Sequence, residues 1–231
     1  MVEGPFDWDH EAAGRSYAPG AAHVYTVEHC KAVPDVLYAG TATAGIWKSI
    51  DNGESWTNVS KGLSVNQVYA LEVHHTDPDI VYARLFSNIY KTTDGGANWL
   101  PTGDTAFKNL SFQTKDIQMH PTDGDILFAA TDDGLFRTAN GGSTWTAVLA
   151  GAFQEIEYHP TKPEIVYVIK QVDHRTAFYK SIDGGQTFTI QTNGWPVPSS
   201  PSENKRAEIA VTPANPDKVY AVLTGVENGC S

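Results

Sequence analysis

The sequence predicts an all-β fold, a β-propeller of four-stranded antiparallel blades. The main observation is an eight-residue segment that recurs four times, with 43, 46 and 43 residues between the starts of successive copies. A blade of four short strands needs roughly 40–50 residues, so this spacing fits one blade per copy. Aromatic residues also make up 11% of the chain, a bias that favours strands over helices.

The recurring segment has Ser or Thr first, Asp or Asn third, Gly fifth and an aromatic residue eighth. This pattern predicts a tight turn between strands three and four, in which glycines take positive φ and the polar side chains bond to the turn's own backbone. We expect the aromatic residue to open the fourth strand and to pack over the hairpin. These structural roles are assigned to Asp51, Asp94, Asn140 and Asp183, and to Trp56, Trp99, Trp145 and Phe188.

Three short apolar runs precede each copy, and the second run is nearly continuous, as expected for a strand buried on both faces. The predicted elements are an N-terminal segment at 1–22 that could supply a closing strand, complete blades at 23–60, 66–103, 113–150 and 153–192, and a partial blade at 207–231. A ring whose last blade is unfinished leaves unpaired edges. The sequence therefore predicts the N-terminal part of a larger propeller of about seven blades, with a compact five-bladed ring as the alternative.

The segment resembles the Asp-box, or BNR repeat, and the resemblance extends from about residue 23 onward. That family includes sialidases, xyloglucanase-like glycoside hydrolases, sortilin-type receptors and many secreted bacterial BNR-repeat proteins, which this chain resembles most. The resemblance implies a propeller that is extracellular or attached to the cell surface. The first residues do not form a signal peptide, so on this reading the presequence has been removed.

Composition argues against several partners and cofactors. The net charge of −11 repels phosphate backbones, which disfavours nucleic acid. No apolar run reaches the roughly 20 residues that span a bilayer, so membrane insertion is not expected. Cys30 and Cys230 are predicted to be free thiols, and no cofactor is expected.

The enzymatic interpretations meet specific difficulties. In the xyloglucanase-like family, the loop between strands two and three of the first blade carries a catalytic Asp, and the matching residue here is Ala42. Asp132, two blades later, stands in a similar stretch that is interpreted as a polar β-turn. Sialidases need three arginines that together bind a carboxylate. Here Arg84 and Arg175 could share a face, whereas Arg137 belongs to a basic position repeated in every third strand.

No metal site is predicted either. Histidines recur at the end of the first strand, but packed sheets lie about 10 Å apart, so neighbouring copies are interpreted as turn residues that cannot share a metal ion. The residues concerned are His29, His75, His120 and His159.

The loops that join strand two to strand three, and one blade to the next, are the most variable and share one face, the loop face. They supply the ligand-binding candidates Arg84, Asp132, Asp173, His174, Arg175 and Trp195. Two functions stay open. The first is a non-catalytic, secreted or cell-surface propeller that binds protein or glycan at the loop face. The alternative is a xyloglucanase-like or sialidase-like glycoside hydrolase whose catalytic residues lie partly outside this chain.

Overall fold

Antiparallel sheets make up nearly all of the computed structural model. It describes residues 23–63, 67–85, 88–108, 113–172, 175–195 and 206–224. The chain divides into a first compact unit that ends at Thr102 and a second that begins at Gly103. The predicted N-terminal segment 1–22, together with Asp173, His174 and Cys230, lies outside the described residues.

The first unit contains two four-stranded sheets, blade 1 and blade 2, each with its strands paired in chain order. The strands of blade 1 are β1 (Val24–Cys30), β2 (Val33–Thr41), β3 (Ile46–Ser49) and β4 (Thr57–Asn58). Those of blade 2 are β5 (Val68–Val73), β6 (Val81–Leu85), β7 (Asn88–Thr92) and β8 (Leu100–Pro101).

The second unit begins with a short helix and contains two further four-stranded sheets, blade 3 and blade 4, followed by a two-stranded sheet. Blade 3 follows α1 (Thr105–Lys108) and consists of β9 (Thr114–His120), β10 (Asp123–Thr131), β11 (Gly134–Thr138) and β12 (Thr146–Ala150). Blade 4 consists of β13 (Ala152–Tyr158), β14 (Val166–Val172), β15 (Arg175–Ser181) and β16 (Thr189–Gln191). The last sheet pairs β17 (Arg206–Val211) with β18 (Val219–Thr224).

The second strand of each blade forms the core, because its apolar side chains pack on both faces of the sheet. Tyr38, Tyr82 and Phe128 hold the same position in blades 1 to 3 and are at most 1% exposed. In the two-stranded sheet the equivalent Tyr220 is 52% exposed. The prediction of four complete four-stranded blades and a partial fifth is confirmed.

One detail of the predicted strands is wrong. The aromatic residue of the repeated segment does not open the fourth strand, which begins one residue later at Thr57, Leu100, Thr146 and Thr189. In blades 2 and 4 its side chain contacts the preceding blade.

Candidate functional site

The repeated segment forms the same hydrogen-bonded turn in every blade. In blade 1, the Ser49 hydroxyl donates to Asp51 Oδ1 at 2.7 Å and accepts the Gly53 N–H at 2.8 Å. The Asp51 carboxylate also accepts the Ser55 N–H at 2.9 Å and the Ser55 hydroxyl at 2.5 Å. The corresponding bonds recur around Asp94, Asn140 and Asp183.

These bonds decide what the three aspartates can do chemically. Hydrogen bonds from the residue four positions on, and then from the leading Ser or Thr, lower the carboxyl pKa of Asp51, Asp94 and Asp183 to about 2. A general base at neutral pH needs a pKa much closer to 7. Each carboxylate therefore serves as a permanently charged cap on its own turn.

Two of the four aromatic residues of the segment contact the preceding blade, a contact that the sequence did not predict. Trp99 of blade 2 donates from Nε1 to the Val59 carbonyl of blade 1 at 2.7 Å. Phe188 of blade 4 meets the ring of Phe128 in blade 3 edge-on, at a centroid distance of 6.4 Å. Trp56 donates within its own turn, from Nε1 to the Gly53 carbonyl at 3.1 Å.

Trp145 packs against the helix that precedes blade 3. It stacks on Phe107 of α1, with ring centroids 5.3 Å apart. Sequence reasoning did not find this contact because Phe107 lies in a connection that breaks the repeat.

The histidine at the end of the first strand closes the next turn in blades 2 to 4. His159 is 2% exposed, and its Nδ1 accepts the N–H groups of Thr161 and Lys162 at 3.2 and 3.1 Å. His120 and His74 make equivalent bonds.

The turn residue of blade 2 is thus His74, not His75, and the same position in blade 1 is held by Cys30, not by His29. Cys30 is free and fully buried there. No group of three potential metal-ligating side chains occurs among the described residues.

In the first unit, the predicted residue Arg84 belongs to an aromatic stack at the loop face. Its guanidinium lies 4.3 Å from the ring centroid of Tyr69. Tyr69 in turn stacks on Tyr25, with centroids 5.5 Å apart and planes 11° apart. Tyr25 and Tyr69 occupy the same position of the first strand in blades 1 and 2, and Tyr25 is 49% exposed. Sequence reasoning missed this pair, although the recurring Val-Tyr dipeptide was a visible signal.

In the second unit, Arg175 and Trp195 come together around Thr176. Trp195 donates from Nε1 to the Thr176 carbonyl at 3.0 Å and stacks on Phe178 at 5.4 Å. The Thr176 hydroxyl oxygen and Arg175 Nε are buried without hydrogen-bond partners. Unsatisfied buried polar atoms are uncommon and call for an explanation such as water or a ligand.

Asp132 lies in another blade of the same unit, in the turn between β10 and β11. Its Oδ1 accepts the Gln113 N–H at 2.8 Å, while its own N–H donates to the Gln113 carbonyl at 3.1 Å. Ala42 makes the matching backbone bond in blade 1, from its N–H to the His23 carbonyl at 2.8 Å. Asp132 is exposed and stands at the blade 3 equivalent of Ala42.

In the second unit, acidic side chains on the first strands of blades 3 and 4 accept backbone hydrogen bonds from the following sheet. Asp116 accepts the Ile156 N–H of the next blade at 3.0 Å, and Glu155 accepts the Ile209 N–H at 3.0 Å. Burial, and then the charge of Glu208, raises the pKa of the Glu155 carboxyl well above its usual range.

Comparisons of sequence and of structure with known proteins identify the type of fold. No protein-family profile matches the chain. A Neosartorya fischeri protein named "Probable oligoxyloglucan-reducing end-specific xyloglucanase" is 36% identical over 73 residues, which are 29% of this chain and 9% of that protein. The structure of an ancestral GH74 enzyme matches with a TM-score of 0.69 at 21% identity, over 92% of this chain and 31% of that enzyme. The fold is a β-propeller.

A second solved structure supports the same assignment. The GH74 xyloglucanase of Xanthomonas campestris matches with a TM-score of 0.58 at 15% identity, over 72% of this chain and 29% of that enzyme. The propeller fold of this chain is therefore like that of glycoside hydrolases, and the chain spans less than a third of the length of each of these relatives. No helix among the described residues is long and apolar enough to cross a membrane.

Proposed function

We propose that this chain is part of a glycoside-hydrolase-like propeller whose loop face binds a neutral polysaccharide of the β-glucan class. The observation that carries the proposal is the stack of Tyr25, Tyr69 and Arg84 in the first unit. Aromatic rings with one exposed face pack against the C–H face of a sugar, and a guanidinium donates hydrogen bonds to hydroxyl groups. The Trp195–Phe178 pair offers a second platform in the second unit.

The choice of polysaccharide rests on the relatives. The Neosartorya and Xanthomonas proteins are both named for action on xyloglucan or its oligosaccharides. We therefore propose xyloglucan as the ligand to test first, and an extracellular or cell-surface location, where this polymer is available. The exposed Tyr220 face of the last sheet is proposed to pack against further blades of a larger propeller.

The test is binding of xyloglucan oligosaccharides to the chain and to Tyr25→Ala, measured by calorimetry. Loss of one aromatic contact should weaken binding about 3- to 10-fold, since such contacts contribute roughly 0.5–1.5 kcal/mol. Ile50→Ala is the matched control, because Ile50 is 70% exposed in the turn at the other end of blade 1. Equal affinities of wild type, Tyr25→Ala and Ile50→Ala would contradict the proposed surface.

Hydrolysis is a second candidate function, and one observation favours it. Asp132 stands in blade 3 at the turn position where the xyloglucanase-like family carries a catalytic Asp in blade 1, and it is exposed. A glycosidase needs two carboxyl groups, so the partner carboxyl is proposed to come from outside the described residues. Release of reducing ends from xyloglucan by the intact protein, abolished in Asp132→Asn but retained in Asp133→Asn, would support this function. Unchanged turnover in Asp132→Asn would exclude Asp132.

A further inference from the structure

A cavity of about 390 Å³ lies in the second unit, at the end of blade 3 away from the loop face. Its polar lining includes Arg137, Asn140, Thr144 and Gln186, and Val148 contributes an apolar wall. Gln186 belongs to the turn of blade 4, so the cavity lies where two neighbouring turns meet. This volume is within the range of small-molecule sites, roughly 300–1,000 Å³.

The cation of this cavity differs from its counterparts in the other blades. Lys48, Lys91 and Lys180 hold the equivalent position, and each ammonium lies over the tyrosine ring of the second strand at 5.0–5.8 Å from its centroid. Arg137 lies over Phe128 at 5.9 Å. A guanidinium is a planar fork that binds a carboxylate through two parallel hydrogen bonds, which an ammonium cannot do.

Arg137 also lacks the counter-ion that its blade 1 equivalent has. Lys48 pairs with Asp79 of the following blade at 3.0 Å. The equivalent acid for Arg137 is Glu164, identified by the same backbone bond, since its carbonyl accepts the Gly184 N–H as that of Asp79 accepts the Gly95 N–H. Within the described ranges Arg137 forms no ion pair, and its Nε is buried without a hydrogen-bond partner.

The turn beside Arg137 is uncharged, unlike the other three. Asn140 replaces the aspartate whose pKa is about 2 in the other blades, and its amide donates to the Thr144 hydroxyl at 2.9 Å. This replacement keeps the turn but removes one fixed negative charge beside the cavity, while Asp183, which accepts the Gln186 N–H at 3.0 Å, remains charged in the neighbouring turn. Blade 3 thus combines an unpaired guanidinium with a neutral turn, and both changes favour an anionic ligand.

We propose that this cavity binds the carboxylate of a small polyhydroxy acid, such as a hexuronic acid. The Arg137 guanidinium receives the carboxylate, while the Thr144 and Thr146 hydroxyls and the Gln186 amide face the ligand hydroxyl groups. Val148 packs against its C–H groups. The site is separate from the loop face, so it is independent of the polysaccharide surface proposed above.

The test is titration of the chain with sodium D-glucuronate, followed by NMR or calorimetry at low ionic strength. We expect saturable binding to glucuronate, with D-glucose and acetate at least roughly tenfold weaker, because each lacks one of the two recognised features. Binding that is equal for glucuronate and glucose, or for glucuronate and acetate, would overturn the assignment. So would the absence of glucuronate binding.

Two variants locate the ligand. Asn140→Asp restores the residue of the other three turns, so it should fold normally, and it should weaken glucuronate binding at least about tenfold by repulsion. Arg137→Lys keeps the charge over Phe128 but loses the fork, and should weaken binding as well. Asp94→Asn, the reverse change in blade 2, is the control and should leave affinity unchanged. Unchanged affinity in Asn140→Asp, or an equal loss in Asp94→Asn, would place the ligand elsewhere.

Discussion

Two adjacent glycines in the turn of blade 4 separate the cost of backbone strain from the cost of packing between blades. Gly184 and Gly185 have φ values of +70° and +77°. A Cβ built on Gly184 meets no atom within 4 Å, whereas a Cβ on Gly185 lies 2.1 Å from Cζ of Phe128 in the neighbouring blade. Both alanine variants therefore carry similar strain, and only one carries a steric clash.

The expected magnitudes follow from these contacts. A left-handed alanine costs roughly 1–2 kcal/mol, partly offset by about 0.4–1 kcal/mol from the stiffer unfolded chain, so Gly184→Ala should lose about 1 kcal/mol. Gly185→Ala should lose a further 1–3 kcal/mol, typical of overpacking a filled core. Phe128 has little room to move, because it is fully buried against Tyr158 and Phe188.

Urea unfolding of both variants measures the difference in the free energy of unfolding. A double-mutant cycle with Phe128→Leu then isolates the contact, since removing the ring tip should bring the cost of Gly185→Ala down to that of Gly184→Ala. Costs that agree within about 0.5 kcal/mol in the wild-type background would refute the reasoning that this glycine is required by packing between blades.

Four further predictions test the turns and the buried groups. Asp94→Asn should be less stable than wild type at pH 7. The folded pKa of Asp94 is about 2 against an ordinary 3.8, so urea midpoints should converge as pH falls through 2. Folding raises the pKa of Glu155 above 4.5, so the wild-type protein loses stability as pH rises. Glu155→Gln should therefore be more stable than wild type at pH 8 but not at pH 4. His159→Ala should cost about 1–3 kcal/mol in thermal unfolding, because two buried N–H groups lose their acceptor. The Cys30 thiol should react with a thiol reagent only on unfolding, as mass spectrometry of the labelled peptide would show.

The sequence predicted the turns because the hydrogen bonds of their Ser or Thr and Asp or Asn side chains close within eight residues. Ser49, Asp51 and Gly53 are near in sequence and near in space, so the pattern determines the geometry. The packing partners of the aromatic residues could not be predicted in this way. Trp99 reaches the Val59 carbonyl, 40 residues earlier, and that contact depends on how two blades pack side by side.

The candidate sites show the same difference between local features, which the sequence predicts, and contacts between blades, which it does not. Arg84, Arg175 and Trp195 were chosen because they lie in or beside segments where the repeat varies, although Arg84 and Arg175 belong to β6 and β15. The Tyr25–Tyr69 stack was missed because each tyrosine looks like an ordinary strand residue within its own blade. Only the lateral packing of two first strands brings the rings together, and no local pattern encodes that distance.

Equivalent residues of the four repeats can be compared with one another to identify those that serve a function. Residues at one position of four equivalent blades face nearly the same structural demand, so a replacement that keeps the structure but changes the charge needs another explanation. Asn140 keeps every bond of its turn except those that need a carboxylate, and Arg137 keeps its place over an aromatic ring. The Asn140 replacement shifts the local charge by one positive unit, and the Arg137 replacement keeps the charge but changes its shape. A stabilising effect of Asn140→Asp combined with loss of glucuronate binding would show that this blade exchanges stability for a ligand site.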